Sequence, residues 1–176
     1  MIGKKIYLRI LEKSDIINTQ KWINNPEISS IMGYLPNKPL IQQEHWYDSI
    51  INDPSRDIFA ICKIDNDEHI GNVALGNIDF ISRNAALSIF IIERINRGKG
   101  YGTEALILLL DYAFNRLNLH KVYLRTSPNF IEAISVYRKL GFIEEGRLRE
   151  HYFCNGIYQD KILFGLLREE FQANCK

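Results

Sequence analysis

Residues 97–103, with the sequence RGKGYGT, lie between two apolar stretches of the chain. The preceding residues 89–92 (IFII) are typical of a buried strand, and the following residues 105–110 (ALILLL) open a long apolar helix. A strand, a glycine-rich turn and a helix N-terminus in this order leave backbone N–H groups unpaired, and the helix dipole there favours negative charge. The segment therefore predicts an anion-binding turn built into a strand–helix unit.

The spacing of the glycines narrows the type of anion site. It is neither the G-x-G-x-x-G of dinucleotide-binding folds nor the G-x-x-x-x-G-K-[ST] of nucleotide triphosphatases. It reads as [RQ]-x-x-G-x-G, with Arg97, Gly100 and Gly102 at the defined positions. A plain strand-to-helix turn, in which the glycines only relieve backbone strain, is the alternative. The cations Arg97 and Lys99 beside the glycines favour a phosphate-binding loop.

The apolar pattern along the rest of the chain predicts an α/β fold of the α+β type. Strands are predicted near residues 7–11, 58–62, 70–75, 85–92, 122–125, 142–149 and 162–167. Helices are predicted at 14–23, with Ser14 as N-cap, at 40–51, from the glycine loop to 117, and at 129–140. The strand–helix–strand crossover requires one parallel pair. We expect a mixed, mainly antiparallel sheet with helices on both faces, in a single domain spanning residues 1–176.

Composition excludes several classes of protein. The 176 residues are 46% hydrophobic and carry a formal net charge of +1, which gives no electrostatic argument for nucleic acid or an anionic membrane as partner. No apolar run approaches the ~20 residues of a spanning helix, and no signal peptide is expected. The three cysteines form no C-x-x-C, which favours free thiols in a reducing cytoplasm and indicates no metal site.

Several motifs in a fixed order carry a resemblance to a known family. Pro26-Glu27 follows WINN, the glycine loop comes next, and residues 133–142 read AISVYRKLGF. Residues 145–150 (EGRLRE) and 155–160 (NGIYQD) close the series. Together they resemble the GNAT superfamily of N-acetyltransferases, in the branch that holds ribosomal-protein alanine and spermidine acetyltransferases. The resemblance implies acetyl-CoA as cosubstrate, no metal, and direct attack of a primary amine on the thioester.

The resemblance also implies where the cofactor lies. Strand 89–92 would pair with the pantetheine arm, in a slot left where this strand splays from the one beginning near Val122. A backbone N–H near Ile91 would hold the oxyanion, and the loop amides would bind the pyrophosphate. The alternative for Lys99 is that it is only a solvated surface residue and does not bind the phosphate. The residues assigned to the cofactor are Phe90, Ile91, Ile92, Arg97, Gly98, Lys99, Gly100, Tyr101, Gly102, Thr103, Asn129, Phe130, Tyr137 and Lys139.

Tyr137 is the catalytic candidate. By spacing alone it is a core aromatic that shares a helix face with Phe130, Ile134 and Leu140. Its place in the A-I-x-x-Y-x-K-x-G-F pattern implies a general acid instead. A phenol can donate a proton to the leaving thiolate as the C–S bond breaks.

The cofactor motif departs from the family at one position. The family places an asparagine three residues before the Ala-Ile pair, where this chain has Phe130, with Asn129 one position earlier. Asn129 and Glu132 also form an N-x-x-E capping pattern, which is the alternative interpretation.

The general base is the second departure. Relatives with Arg-x-Ala-Glu-Leu before the loop have a glutamate suited to this role, but residues 83–87 read RNAAL, with Ala86 in its place. Asp79, His120 and His151 are the alternatives for the base.

The acceptor is left open between a small amine, such as an amino sugar, and a protein N-terminus. Trp46, Tyr34 and Tyr152 are candidates to line its pocket. A polyamine acceptor is an alternative, although residues 34–37 (YLPN) lack the clustered acids that would attract a polycation. A CoA-binding regulator without turnover is another, motivated by Ala86. Association into a homo-oligomer is also left open.

Overall fold

The computed structural model describes residues 1–26, 29, 37–154 and 156–174. Its centre is a seven-stranded sheet in the order β1-β2-β3-β4-β5-β7-β6. The strands are β1 Ile6–Ile10, β2 Asp57–Lys63, β3 His69–Asp79, β4 Asn84–Ile91, β5 Lys121–Thr126, β6 Ile143–Cys154 and β7 Ile157–Leu167. Only β4 and β5 run parallel among these neighbouring pairs. The predicted mixed, mainly antiparallel sheet is confirmed.

The first four helices below lie at the predicted places, and the C-terminal one was not predicted. They are α1 Ile16–Ile23, α2 Leu40–Ile50, α3 Tyr101–Asp111, α4 Ile131–Lys139 and α5 Arg168–Asn174. A π-helical turn, Tyr112–Arg116, extends α3, and 3₁₀ turns occupy Lys13–Asp15 before α1 and Arg94–Asn96 after β4. The crossover from β4 through α3 to β5 is the strand–helix–strand unit that the glycine loop predicts.

Both faces of the sheet are covered, as the alternation along β2 shows. Phe59 and Ile61 belong to the large core that α3 and α4 also enter. Ala60 and Cys62 point to the opposite face, where a smaller cluster includes Trp46 of α2. Since successive side chains of a strand alternate between faces, helices must lie on both sides of the sheet.

The parallel pair of strands opens into a fork. β4 and β5 pair at three positions, Asn84 with Lys121, Ala85 with Val122 and Ala86 with Tyr123. The pairing ends there, although β4 continues to Ile91 and β5 to Thr126. The end of β4 that leads to the glycine loop therefore lies beside a gap in the sheet, as the splayed pair predicted from the resemblance requires.

The predicted N-cap at Ser14 is wrong. α1 begins two residues later, at Ile16, after the 3₁₀ turn. The carboxylate of Asp15 accepts the N–H of Glu12 at 2.8 Å, because Arg9 holds that carboxylate with two hydrogen bonds of 2.6 and 2.8 Å. Asp15 thus caps the preceding 3₁₀ turn, and within the described residues the N-terminus of α1 has no side-chain cap.

The capping role of Asn129 is wrong as well. α4 begins at Ile131 with Phe130 as its N-cap residue. The side-chain amide of Asn129 donates instead to Oε1 of Gln159 on β7, at 3.2 Å. A contact from a distant strand therefore displaces the local cap.

Candidate active site

The glycine loop adopts a backbone that side chains resist. Gly98 and Gly100 have φ of +73° and +87°, in the left-handed region. Gly100 is the N-cap residue of α3, and the N–H of Glu104 donates to its carbonyl oxygen at 3.0 Å. The N–H groups of residues 101–103 precede this first helical bond, so they have no partner within the helix. The loop therefore presents a set of backbone donors that suits a phosphate group.

Arg97 braces the loop against the end of β4. Its Nε donates to the carbonyl oxygen of Ile91 at 3.2 Å, and its Nη2 donates to that of Ile92 at 3.0 Å. The guanidinium is half-buried here and bonded to backbone. In this structure it shapes the anion site, and its contact with a cofactor stays a prediction.

Lys5 brings a second cation to the loop. Its Nζ donates to the carbonyl oxygen of Lys99 at 3.0 Å. The carboxylate of Glu104, in the first turn of α3, accepts the backbone N–H groups of Lys4 and Lys5. The segment before β1 is therefore fastened to the loop. Lys5 belongs to none of the motifs, and nothing in the local sequence links it to a loop more than ninety residues later.

The edge of β4 that faces the fork carries free hydrogen-bonding groups. The N–H of Ile92 donates to the carbonyl oxygen of Ile70 at 3.3 Å. Because alternate residues of an antiparallel strand face the partner, both backbone groups of Ile89 and the N–H of Ile91 point away from β3, toward the gap, while the carbonyl oxygen of Ile91 accepts from Arg97. An extended chain with amide groups can add to such an edge, as a further strand would.

Tyr137 of α4 is packed in the core. Only 8% of it is exposed, and its ring contacts Phe142 and Phe164 with centroids 5.9 and 6.2 Å apart. Burial raises the pKa of Tyr137 to about 12. The core-aromatic interpretation describes its packing, and the role of Tyr137 as a proton donor stays a prediction.

The other residues assigned to the cofactor in this region lie at the two ends of α4 and are exposed or half-buried. Asn129 and Lys139 are exposed, and Phe130 is half-buried. Oε1 of Gln159, which accepts from Asn129, also accepts the hydroxyl of Tyr152 at 2.7 Å. This bond fixes Tyr152 beside the start of α4. It does not line the cleft described next, whereas Trp46 does.

A cleft of about 520 Å³ lies on the sheet face that α1 and α2 cover. Its floor consists of facing residues of β3 and β4, namely Asn72 with Phe90, Ala74 with Ser88 and Gly76 with Ala86. Its walls are Thr19 and Ile23 of α1, Gln42, Gln43 and Trp46 of α2, and Lys38, Arg56, Ile58, Leu75 and Leu87. Tyr34, the remaining predicted lining residue, lies outside the described residues.

Two cations lie among the described residues that line this cleft. Lys38 and Arg56 line it, and no aspartate or glutamate is present among the described residues that do. Arg56 forms an exposed ion pair of 3.1 Å with Asp53, while no carboxylate in the described ranges pairs with Lys38.

The three alternatives for the general base lie away from the cleft. Asp79 accepts the N–H groups of Ile81 and Ser82 in the turn after β3, and bonds from Ser82 and this backbone hold the pKa of Asp79 below its usual range. His120 and His151 are exposed, and neither lines the cleft. Ala86, where relatives have glutamate, lies in the cleft floor.

Two further features bear on the site. Among the residues that the structure describes, no group of three His, Cys, Asp or Glu side chains is placed to hold a metal ion. None of the helices within the described ranges is long and apolar enough to cross a membrane.

Comparison with known proteins places these features in a family. The acetyltransferase (GNAT) domain family matches residues 5–143. Spermidine N(1)-acetyltransferase of Vibrio cholerae is 32% identical over 170 residues, which are 97% of each chain. The enzyme of the same name from Escherichia coli K12 is 34% identical over 172 residues, which cover 97% of this chain and 90% of that one.

The fold has a solved counterpart of nearly full length. The crystal structure of spermidine N-acetyltransferase from Vibrio cholerae in complex with CoA and spermine superposes with a TM-score of 0.91 and 32% identity. The match covers 97% of this chain and 99% of that one. A dodecameric structure of the same enzyme gives a TM-score of 0.85.

Proposed function

Because the chain belongs to the GNAT family of acetyl-CoA-dependent N-acetyltransferases, we propose that it acetylates a small molecule bearing both a primary amine and an anionic group. Family membership confirms the resemblance that the motifs indicate, and it supports an enzyme over a CoA-binding regulator without turnover. The observation that carries the acceptor class is the charge of the cleft, where Lys38 and Arg56 occur without a described carboxylate.

In this proposal the glycine loop and the edge of β4 hold acetyl-CoA. The fit rests on two observations, the left-handed glycines that leave space above the loop and the unpaired N–H groups at the start of α3. These donors and the ammonium of Lys5 bind the pyrophosphate, while the backbone groups of Ile89 pair with the pantetheine amides. Acetyl-CoA supplies the thioester that the amine attacks.

The chain's own groups then handle charge and protons. The backbone N–H of Ile91 faces the fork and stabilises the negative charge that develops on the carbonyl oxygen. Tyr137 donates its phenolic proton to the leaving thiolate and recovers a proton from solvent. The proton of the attacking amine passes to water in the cleft, since the described lining contains no Asp, Glu or His.

An acceptor panel tests this proposal. Release of the CoA thiol is measured with four acceptors at equal concentration. They are glucosamine, glucosamine 6-phosphate, a peptide with an N-terminal alanine, and spermidine. We expect the phosphorylated amino sugar to give a higher kcat/KM than its neutral counterpart, and both to exceed spermidine. Lys38→Gln should narrow the difference between the two amino sugars, with Lys4→Gln as a surface control. A kcat/KM for glucosamine 6-phosphate that is equal to or lower than that for glucosamine would overturn the proposal.

A polyamine acceptor is the second candidate. It is supported by the similarity of nearly the whole chain to enzymes named spermidine acetyltransferases. In this case spermidine should have the highest kcat/KM of the panel, and Lys38→Gln should improve its use by removing a like charge.

We also propose that the enzyme is a cytoplasmic homo-oligomer. The relative from Vibrio cholerae is described as dodecameric. In this chain Phe153, Ile157 and Tyr158, at the β6–β7 hairpin tip, are each exposed by 60% or more, and such apolar surface is typical of a subunit contact. Light scattering at micromolar concentration tests assembly, with Phe153→Ser and Tyr158→Ser expected to reduce the mass.

A further inference from the structure

A chain of buried polar side chains runs from β1 to the floor of the acceptor cleft. Arg9 binds the carboxylate of Asp15 with two hydrogen bonds, and Oδ1 of Asp15 lies 3.4 Å from Nδ1 of His69. Nε2 of His69 lies 2.7 Å from Oδ1 of Asn72, and Nδ2 of Asn72 lies 3.5 Å from Oγ1 of Thr19. Two of these residues, Asn72 and Thr19, line the cleft.

We infer that Asn72 selects the acceptor, and that His69 positions its carboxamide so that an N–H donor faces the cleft. The inference rests on the proposed function, because it assumes that the acceptor occupies this cleft. It assigns to the acceptor an oxygen atom that accepts a hydrogen bond from Asn72, as a hydroxyl, carboxylate or phosphate oxygen does.

Asn72 is unusual for its place in the sheet. It is 3% exposed and lies within the mostly apolar stretch of β3, opposite Phe90. Its neighbours on the same cleft floor include Ala74 and Gly76, which have no polar side-chain atoms. A buried amide is costly unless its groups are hydrogen-bonded. Both ends of the Asn72 amide must therefore be satisfied, by protein or by ligand.

The partners of Asn72 determine which way its amide points. The carbonyl oxygen of an amide only accepts, so His69 donates to it from Nε2–H. The hydroxyl of Thr19 donates to the backbone oxygen of Asp15 at 3.2 Å, so its oxygen is left to accept from Asn72. One N–H of the amide goes to Thr19. The other has no acceptor among the described residues and is available to a ligand in the cleft.

His69 acts through Asn72 and does not line the cleft itself. Its side chain is 6% exposed and lies with its ring edge-on to that of Trp22, at a centroid distance of 4.7 Å. Nδ1 has no hydrogen-bond partner in the described part of the chain, although Oδ1 of Asp15 lies within ion-pair distance, at 3.4 Å. Trp22 and Asp15 together limit the rotation of the ring, so the donor to Asn72 stays in place.

The chemical consequence concerns the acceptor and not the cofactor. A donor at this point of the floor binds an electronegative atom and repels an ammonium group. An amino sugar or an amino acid offers such an oxygen near its amine, whereas the backbone of a linear polyamine offers only amines and methylene groups. Asn72 therefore favours oxygen-bearing amines independently of the two cations on the walls.

Asn72→Asp is the sharpest test, because it keeps the shape and the acceptor for His69 but replaces the cleft donor with an anion. We expect the KM for glucosamine 6-phosphate to rise by about 10–100-fold and the KM for acetyl-CoA to stay within about twofold. Spermidine should become a better substrate than it is for the wild type. Asn77→Asp, the same change on β3 outside the cleft lining, is the matched control.

His69 is tested as a positioning residue by two substitutions. His69→Phe keeps a ring beside Trp22 but removes the donor, and should raise the acceptor KM about 3–10-fold at nearly constant kcat. His69→Gln restores a side-chain N–H and should recover most of this loss. Melting temperatures separate these effects from unfolding, since a variant that only unfolds changes active enzyme concentration and not KM.

The outcomes separate this inference from the proposed function. A wild-type preference for spermidine overturns the proposed acceptor class. An unchanged acceptor KM in a folded Asn72→Asp variant overturns the role of Asn72, even where glucosamine 6-phosphate is the preferred acceptor. Equal acceptor KM values for His69→Phe and His69→Gln overturn the positioning role of His69.

Discussion

The ammonium of Lys5 donates a hydrogen bond to the carbonyl oxygen of Lys99 at 3.0 Å, so a cation that precedes β1 lies on the glycine loop that follows β4. A Cβ built on Gly100 would lie 3.8 Å from the same Nζ. The loop therefore has a positive charge beside its unpaired N–H groups, in addition to the helix dipole. This arrangement depends on the fold bringing two distant segments together.

Lys5→Met should weaken acetyl-CoA binding. The change keeps most of the side-chain stem and removes only the charge, so the KM for acetyl-CoA should rise about 3–10-fold at low salt. The effect should shrink at 0.5 M salt, because screening reduces the contribution of an exposed cation. Lys4→Met is the control, since Lys4 contacts Glu104 through its backbone N–H, which the substitution keeps, and it should leave KM unchanged. Equal effects of the two variants would contradict the assignment of Lys5 to the phosphate site.

Gly100→Asp should abolish acetyl-CoA binding while the fold persists. The new carboxylate lies over the loop and repels a phosphate, and the φ of +87° adds strain of about 1–2 kcal/mol. Gly156→Asp separates strain from charge, because Gly156 has a φ of +83° and lies at the β6–β7 turn. Calorimetric titration with acetyl-CoA should show binding for Gly156→Asp only. Normal binding by Gly100→Asp would remove the loop from the cofactor site.

The elements of the fold follow from local patterns, and the contacts between them do not. The strands, the glycine loop and the parallel pair could be predicted, since period-two alternation and a crossover connection leave few arrangements. The fork between β4 and β5 was implied only by the family resemblance. The contacts of Lys5 with Lys99 and of Asn72 with Thr19 could not be found in this way, because the partners are distant in sequence. Asn72 interrupts an apolar strand, and such a break in pattern is the signal that could have indicated a site.

The covered face of helix α2 is another feature that the local hydrophobic pattern does not predict. The sequence places Ile41, His45, Trp46, Ser49 and Ile50 on one face, whereas the structure exposes Ile41 by 52% and buries Gln43. The covered face consists of Gln43, Trp46, Tyr47 and Ile50, at the spacing i, i+3, i+4 and i+7. A search for hydrophobic periodicity does not find this face, because one of its positions is the polar residue Gln43. Gln43 is buried where it lines the cleft.

Arg9→Met should destabilise the fold most near neutral pH. Burial raises the pKa of Asp15, but hydrogen bonds from Arg9 and from the N–H of Glu12 lower it further, so the net pKa lies below its usual range. A depressed carboxyl pKa stabilises the fold above the unfolded pKa of ~3.9, and this contribution is lost as the pH falls through the folded value. Removing Arg9 should therefore cost about 2–3 kcal/mol at pH 7 and progressively less below pH ~4.

Urea unfolding at several pH values measures this dependence. Arg147→Met is the matched control, since Arg147 pairs with Asp160 at 3.2 Å but is half exposed, and it should change stability by less than about 1 kcal/mol. A loss in Arg9→Met that stays constant from pH 7 to pH 3 would contradict the ion-pair explanation.

Tyr137→Phe should separate packing from catalysis. The variant keeps the ring between Phe142 and Phe164, so melting temperature and acetyl-CoA affinity should change little. Loss of a positioned proton donor should lower kcat by about 10²-fold or more. Tyr137→Ala is the comparison for packing and should cost about 3–5 kcal/mol of stability, as large-to-small aromatic changes in cores do. A fully active Phe variant would reduce Tyr137 to a core aromatic.

The pH profile of kcat gives an independent readout of the same residue. Because burial raises the pKa of Tyr137 to about 12, the phenol keeps its proton across the range from pH ~6 to ~10 in which the enzyme can be assayed. With Ala86 in the cleft floor in place of a carboxylate, the rate should rise as the acceptor amine itself loses its proton. The wild-type profile should therefore be shallow and alkaline, with no fall in kcat up to pH ~10. A sharp acidic limb near pH ~6 with an amine of pKa ~10 would instead indicate a dedicated base. If kcat falls at alkaline pH in the wild type but not in Tyr137→Phe, the phenol ionises well below a pKa of about 12.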